Sequence, residues 1–260
     1  MLIDSHAHLE MKEFDSDRED VIKRAASEGV DFIVTVGTNL KLSRKAVALA
    51  NQYENIYATV GVHPHDVART DELTWESLKE LVHANRGIIV AYGEIGLDFF
   101  RNISPEEKQI EAFGRQLELA RELDLPVVIH DRDAHEQTLK IVKSSGVRCG
   151  VFHCFSGDYE MARQCIDLGF YISVPGVVTF DKAKTIQDVV RRLPLSSMLL
   201  ETDAPYLAPV PHRGKRNEPS FIVNTAKKVA EIKNIPWEEV AQTTARNAMD
   251  LFGIKTSRIG

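Results

Sequence analysis

The sequence predicts an α/β protein of the (β/α)8 TIM barrel class. Three observations predict it: short β-branched runs alternate with longer amphipathic stretches, the alternation repeats eight times, and the whole lies within 260 residues. Single barrels of about 250 residues are common. With 43% hydrophobic residues the chain can fill one large core. No Ser/Gly-rich linker, low-complexity tract or internal repeat divides it, so residues 1–260 read as a single domain. A doubly wound open sheet is the alternative arrangement.

In chain order, the strands are expected at Leu2 to Ser5, Asp31 to Val36, Ile56 to Val62, Ile88 to Tyr92, Pro126 to His130, Gly150 to His153, Phe170 to Val174 and Met198 to Asp203. Helices are expected between them, at Asp17 to Glu28, Leu42 to Tyr53, Thr74 to Asn85, Pro105 to Leu123, Ala134 to Ser144, Tyr159 to Leu168 and Lys182 to Leu193. Two more, Ser220 to Ile232 and Pro236 to Phe252, close the C-terminal end. Thr74, with Ser77 nearby, and Ser104 before Pro105, Glu106 and Glu107 supply N-terminal caps.

The first strand runs into Asp4-Ser5-His6-Ala7-His8. Side chains alternate faces along an extended backbone, so Asp4, His6 and His8 point the same way and the two imidazoles can converge on a divalent metal. A His-x-His pair alone is a weak signal, equally at home on an ordinary strand. In a barrel of this class the active site is built at the carboxyl ends of the strands. Those positions hold His6, His8, His63, Glu94, His130, His153 and Asp203. A lone histidine is usually a satisfied core or surface group; five histidines and two carboxylates on one rim are what first-row divalent metals prefer.

A formal net charge of -6 confines any nucleic-acid contact to a local feature. Cys149, Cys154 and Cys165 form no C-x-x-C pair and read as thiols in a reducing compartment. No apolar run approaches about 18 residues and no basic and apolar leader opens the chain. The expectation is a cytoplasmic protein with no membrane partner. Neither a nucleotide-binding glycine loop nor a Gly-x-Ser-x-Gly elbow is present, so no nucleotide cofactor is expected.

The segments Asp4-Ser5-His6-Ala7-His8-Leu9, Gly61-Val62-His63-Pro64, Gly93-Glu94-Ile95-Gly96-Leu97-Asp98, Val128-Ile129-His130-Asp131-Arg132-Asp133-Ala134, Phe152-His153-Cys154-Phe155-Ser156-Gly157 and Glu201-Thr202-Asp203-Ala204-Pro205-Tyr206-Leu207-Ala208-Pro209 resemble those of the TatD family of metal-dependent deoxyribonucleases. The resemblance spans nearly the whole chain. It implies a barrel of the metal-dependent hydrolase type, a DNA substrate and attack from a 3′ end. It also implies two divalent ions, one held by His6, His8 and Asp203, the other by His130 and His153, with Glu94 between them. An anionic bridge fits, since paired cations need one to offset their repulsion. Zinc, manganese, cobalt or nickel suit such mixed ligands, and magnesium a weaker position. Glu10, where the family commonly carries Asp, and Asp131 depart from the pattern; neither is a ligand position, so they bear on substrate preference.

On this reading a water activated by both ions attacks phosphorus, and Asp203 either accepts its proton while holding metal or is a ligand only. His63 hydrogen-bonds the phosphate, protonates the leaving group, or is structural. Asp4 or Glu201, each two residues before a ligand, can accept the free N–H of a ligand histidine, with a buried salt bridge as the plain alternative. Arg132 is a phosphate-binding candidate. So are Arg213 and Lys215, in the run His212-Arg213-Gly214-Lys215-Arg216, and Phe99-Phe100-Arg101 offers aromatic faces for unpaired bases, or core. Two other functions use the same residues: hydrolysis of a small amide, lactone or phosphoester, and a metal-binding scaffold without turnover.

Overall fold

In a computed structural model, which describes residues 1–255, eight parallel strands stand in sequence order around one sheet. They are β1 (Leu2–Ala7), β2 (Val30–Val36), β3 (Ile56–Val60), β4 (Ile89–Asp98), β5 (Val127–Arg132), β6 (Gly150–Phe152), β7 (Phe170–Val174) and β8 (Met198–Leu200). The helices are α1 (Arg18–Ser27), α2 (Leu40–Gln52), α3 (Glu72–Ala84), α4 (Glu106–Glu122), α5 (His135–Ser145), α6 (Tyr159–Asp167), α7 (Lys184–Arg192), α8 (Ile222–Lys233) and α9 (Trp237–Phe252). Residues 256–260, included in the expected single domain, lie outside the described residues.

The ring closes just beyond β8. Ala7 pairs with Ala204, the His8 N–H donates to the Ala204 carbonyl at 2.7 Å, and the Asp203 N–H donates to the His6 carbonyl at 2.9 Å. The expected (β/α)8 barrel is the observed fold, and the open sheet is excluded by this closure.

Two apolar layers hold it. Ile3, Phe32, Val34, Tyr57, Val90, Val128, Val151 and Leu199 meet one another, with Tyr171 packed against them. Residues from all eight strands can meet only in the bore. Ala245, Ala248, Leu251 and Phe252 of α9 join this cluster and stopper the bore from below. The outer faces of the strands pack against α1 to α8 in a second, larger cluster. No helix among the described residues is long and apolar enough to cross a membrane.

The strand ends differ from expectation where they meet the polar rim. β4 runs six residues past Tyr92, carrying Glu94 to Asp98 within the sheet, whereas β6 and β8 stop before His153 and Asp203, which stand in the first turn of their loops. Both cap assignments are corrected. Asp71 caps α3 in a capping box in which Thr74 is the third residue of the helix. Ser104 caps nothing: its hydroxyl donates to the His65 carbonyl at 2.9 Å and accepts from the Ala68 N–H at 3.2 Å, tying the loop after β3 to the loop after β4. Thr74 serves the same helix start from inside its first turn, whereas Ser104 is taken by tertiary partners.

Gly96 has φ +142°, and a Cβ there would drive into the His130 carbonyl oxygen. Gly96→Ala is therefore expected to cost about 3 kcal/mol or more. Urea unfolding checks this, and an unchanged midpoint would mean that β4 can draw away from β5 without penalty.

Candidate metal centre

A cavity of about 600 Å³ opens at the carboxyl end of the barrel. A larger groove of about 1010 Å³ between α5 and α6 carries no convergent set of ligand atoms, so chemistry rather than size selects the site. The cavity floor is built around Glu94, whose residue is 3% exposed. Its Oε1 lies 2.8 Å from His130 Nδ1, 2.8 Å from His153 Nε2 and 3.4 Å from His63 Nε2. Its Oε2 faces the other way, 3.5 Å from His6 Nε2 and 3.8 Å from His8 Nε2. Asp203 Oδ1 completes that second group, 3.4 Å from His8 Nε2 and 3.8 Å from His6 Nε2.

The donor set fits cations. Ring nitrogens of His6 and His8 stand 3.3 Å apart, as do those of His130 and His153. That spacing is the edge of a tetrahedron of roughly 2.05 Å metal–nitrogen bonds. Among the described residues, three groups of potential ligands fall within one ion's reach: His6, His8 and Asp203; His6, Glu94 and His153; His63, Glu94 and His130. All six expected metal residues are therefore brought together, and His63 joins them.

Hydrogen bonds behind the rings decide which nitrogen faces the centre. His8 Nδ1 donates to the Val36 carbonyl at 3.0 Å, which turns Nε2 toward Asp203 and Glu94. His130 Nε2 donates to Asp98 Oδ2 at 3.3 Å, which turns Nδ1 toward Glu94. His153 Nδ1 faces Glu201 Oε1 at 3.6 Å. His63 is the opposite case: its Nδ1 accepts the His65 N–H at 3.1 Å, so the neutral ring keeps its proton on Nε2 and is a donor rather than a ligand. Burial pushes the His63 imidazole down to about 4, so it is neutral near pH 7.

Burial alone would raise Glu94, but the surrounding His153, His63 and His130 outweigh it and hold the carboxyl well below its usual range. Asp203 is held low in the same manner by His8 and His6. His8, opposed by burial, is lifted well above the usual imidazole range by Asp203 and Glu10, and His153 by Glu94 and Glu201. The cavity is an anionic nest that draws positive charge.

Several expectations about the outer residues change. Asp4 reaches no ring: β1 shifts register between Asp4 and Ala7, and Asp4 accepts from the Thr202 N–H at 3.0 Å, the Thr202 hydroxyl at 2.5 Å and the His6 N–H at 3.3 Å. Burial pushes its carboxyl up to about 8. Glu10 does bear on a ligand, since its Oε1 lies 3.6 Å from His8 Nδ1 while the Thr35 hydroxyl donates to Oε2 at 2.8 Å. Asp131 pairs with His135 at 2.6 Å.

Asp98 was missed as a site residue. Besides His130 it accepts from His65 Nε2 at 2.8 Å and from the Arg101 N–H at 2.7 Å, and these bonds outweigh burial to hold its carboxyl well below the usual range. Two buried glutamines of α4 were missed as well. Gln116 clamps both backbone groups of Val62, beside His63, at 2.7 and 3.0 Å. Gln109 clamps those of Asp98 at 2.8 and 3.2 Å.

Arg132 lines the cavity with Arg101, its guanidinium 4.1 Å over the exposed ring of Phe100, while Phe99 packs on the core. Arg213 and Lys215 do not line the cavity. Arg213 lies 4.3 Å over Phe180 beside a separate hollow. Arg216, from the same run, is taken up by Asp17 at 2.7 and 2.8 Å and by the Glu13 carbonyl at 2.6 Å.

A family model described as "TatD related DNase" matches residues 3–253. An uncharacterized metal-dependent hydrolase, YabD of Bacillus subtilis (strain 168), is 44% identical over 258 residues, covering 98% of this chain and all of that one. The 3'-5' ssDNA/RNA exonuclease TatD of Shigella flexneri serotype 5b is 37% identical over 260 residues, covering 97% and 99%. The crystal structure of YJJV, a TatD homolog from Escherichia coli k12, matches with a TM-score of 0.93 at 34% identity over 98% of both chains.

The bonds of Arg216 to Asp17 contribute to the stability of the fold. Arg216→Ala and Asp17→Ala should each lower it by about 1 kcal/mol, the contact being partly exposed, and the double variant should lose less than the sum of the two, since each side chain also keeps a partner of its own, the Glu13 carbonyl for Arg216 and Arg24 for Asp17. Urea midpoints of the four proteins check it. Additive losses would mean that the two side chains act separately.

Proposed function

Because the chain belongs to the TatD related DNase family and is a metal-dependent hydrolase, we propose that it hydrolyses phosphodiester bonds of DNA from the 3′ end of an accessible strand, using two divalent cations. The observation that carries this reading is the division of Glu94, one oxygen toward His130 and His153 and the other toward His6 and His8. His6, His8 and Asp203 would hold one cation and His130 and His153 the other, with Glu94 serving both. Cations bound there would acidify a water and offset the charge of the phosphate. The relative named a 3'-5' ssDNA/RNA exonuclease supports the polarity.

The chain's own residues supply the rest. The Asp203 side chain, 13% exposed against 4% for Glu94, is the ligand carboxylate open to the cavity and accepts the water's proton. The His63 Nε2–H donates to a phosphoryl or leaving oxygen. Arg132 and Arg101 meet the phosphate, Arg132 kept in place by Phe100. Arg213 and Lys215 are left for phosphates beyond the cavity. Three unpaired thiols support a reducing, cytoplasmic compartment, and the single barrel supports one domain.

Glu94→Ala is expected to lose at least one bound ion per chain and to lower DNA hydrolysis at least roughly 10- to 100-fold, with an unchanged circular dichroism spectrum. Elemental analysis beside an activity assay checks it; full occupancy with full activity would remove Glu94 from between the ions. Asp203→Asn should slow single-turnover hydrolysis at saturating substrate by roughly 10²- to 10⁴-fold. A loss confined to KM and restored by added metal would reduce Asp203 to a ligand. Wild-type protein, reconstituted with metal, should degrade oligonucleotides far faster than small esters or amides; the reverse order would favour the small-molecule hydrolase.

A further inference from the structure

Of the seven large apolar side chains exposed among the described residues, five, Phe100, Ile103, Tyr206, Leu207 and Val210, stand on the two loops that follow β4 and β8. Those strands lie four apart in an eight-stranded ring, so the loops face each other across the cavity. Tyr206 and Leu207 line it, yet are 49% and 39% exposed. Leu207 also holds φ +55°, a conformation unfavourable for its side chain. An apolar residue that is both strained and exposed beside a reactive centre points to a ligand that covers it.

The platform is rigid. Asn217 is fully buried, and its Nδ2 donates to the Thr202 carbonyl at 2.8 Å and to the Tyr206 carbonyl at 2.6 Å, stapling the loop on both sides of Asp203. The Tyr206 N–H donates to the Asp203 carbonyl at 2.8 Å. The ring of Tyr206 stands 6.1 Å from that of His8, and its hydroxyl reaches Met11 Sδ at 3.5 Å.

We propose that Tyr206 and Leu207 form a shelf on which one unpaired nucleobase of the substrate stacks, across the cavity from Arg132 and Phe100. The proposal rests on the nuclease reading and adds to it a base site and its residues. The shelf lies three residues from Asp203, so its occupant is part of the reacting strand. A flat base matches a flat ring flanked by an aliphatic side chain, and such stacking tolerates any base. A base inside a duplex has both faces covered and cannot use the shelf, so the shelf selects unpaired ends.

The test couples protein to substrate. Metal-loaded wild type, Tyr206→Ala and Tyr206→Phe are given single strands in which one of the three terminal nucleotides is abasic. Wild type should lose roughly 5- to 100-fold in kcat/KM when the missing base is the one on the shelf. Tyr206→Ala should degrade that abasic strand and the intact strand at equal rates, while Tyr206→Phe keeps the discrimination. A merely structural role would slow every substrate alike and leave the ratio untouched, which would overturn the shelf. Failure of wild type to degrade any oligonucleotide would overturn the nuclease reading, and the shelf with it.

Discussion

Burying one carboxylate among imidazoles is the constraint on which this structure turns. Ring nitrogens of five histidines lie 2.8 to 3.8 Å from the oxygens of Glu94. An isolated carboxylate in that place would cost several kcal/mol, and so would a nest of imidazoles without acids. Each group is tolerable only if the others arrive. They come from the ends of β1, β3, β5 and β6, with Glu94 on β4, so the centre exists only when the ring of strands is complete. The converse also holds, because two of the residues concerned sit on the seam that closes the ring: the backbones of His6 and His8 bond those of Asp203 and Ala204. A cation gripped by His6, His8 and Asp203 would rivet the first strand to the last, adding binding energy to folding energy.

Below this layer the bore is filled, first by the hydroxyl pair Ser5 and Ser173 at 3.2 Å and then by apolar side chains down to α9. The cavity is therefore blind, and a ligand can enter only past the loops. That geometry makes the loops after β4 and β8 the natural seat of selectivity, while the strands keep the reactive groups fixed.

The candidate metal residues, which the fold brings together, are legible in the sequence because two independent patterns coincide at them: strand ends, read from β-branched runs, and residue types that bind metals. His6, His8, Glu94, His130, His153 and Asp203 all satisfied both. Asp98 satisfied them too, but its strand was expected to end at Tyr92, so it was not counted at the rim. Gln109 and Gln116 were invisible for a different reason: a glutamine on a helix reads as solvent-facing, and only the third dimension shows it clamping a strand end. The placement of the basic run after β8, outside the cavity, is hidden for the same reason. Nothing local to Arg216 reveals that Asp17, far back along the chain, neutralises it, or that Phe180 beds Arg213.

In the loop after β8, Arg216 pairs with Asp17 and the neighbouring Glu218 with Arg24, at 2.7 and 2.9 Å. These bonds tie the loop to α1, as Asn217 ties it to the floor of the site. Cations spent on rigidity are not free to attract a polyanion, which accords with a chain of net charge -6. Within the cavity, attraction for a polyanion comes from Arg101 and Arg132 and from any cations held there. A cavity with so little free positive charge holds phosphate at its centre, and leaves the strand beyond it to Arg213, Lys215 and apolar side chains. The exposed side chains on the two loops are where that strand can rest.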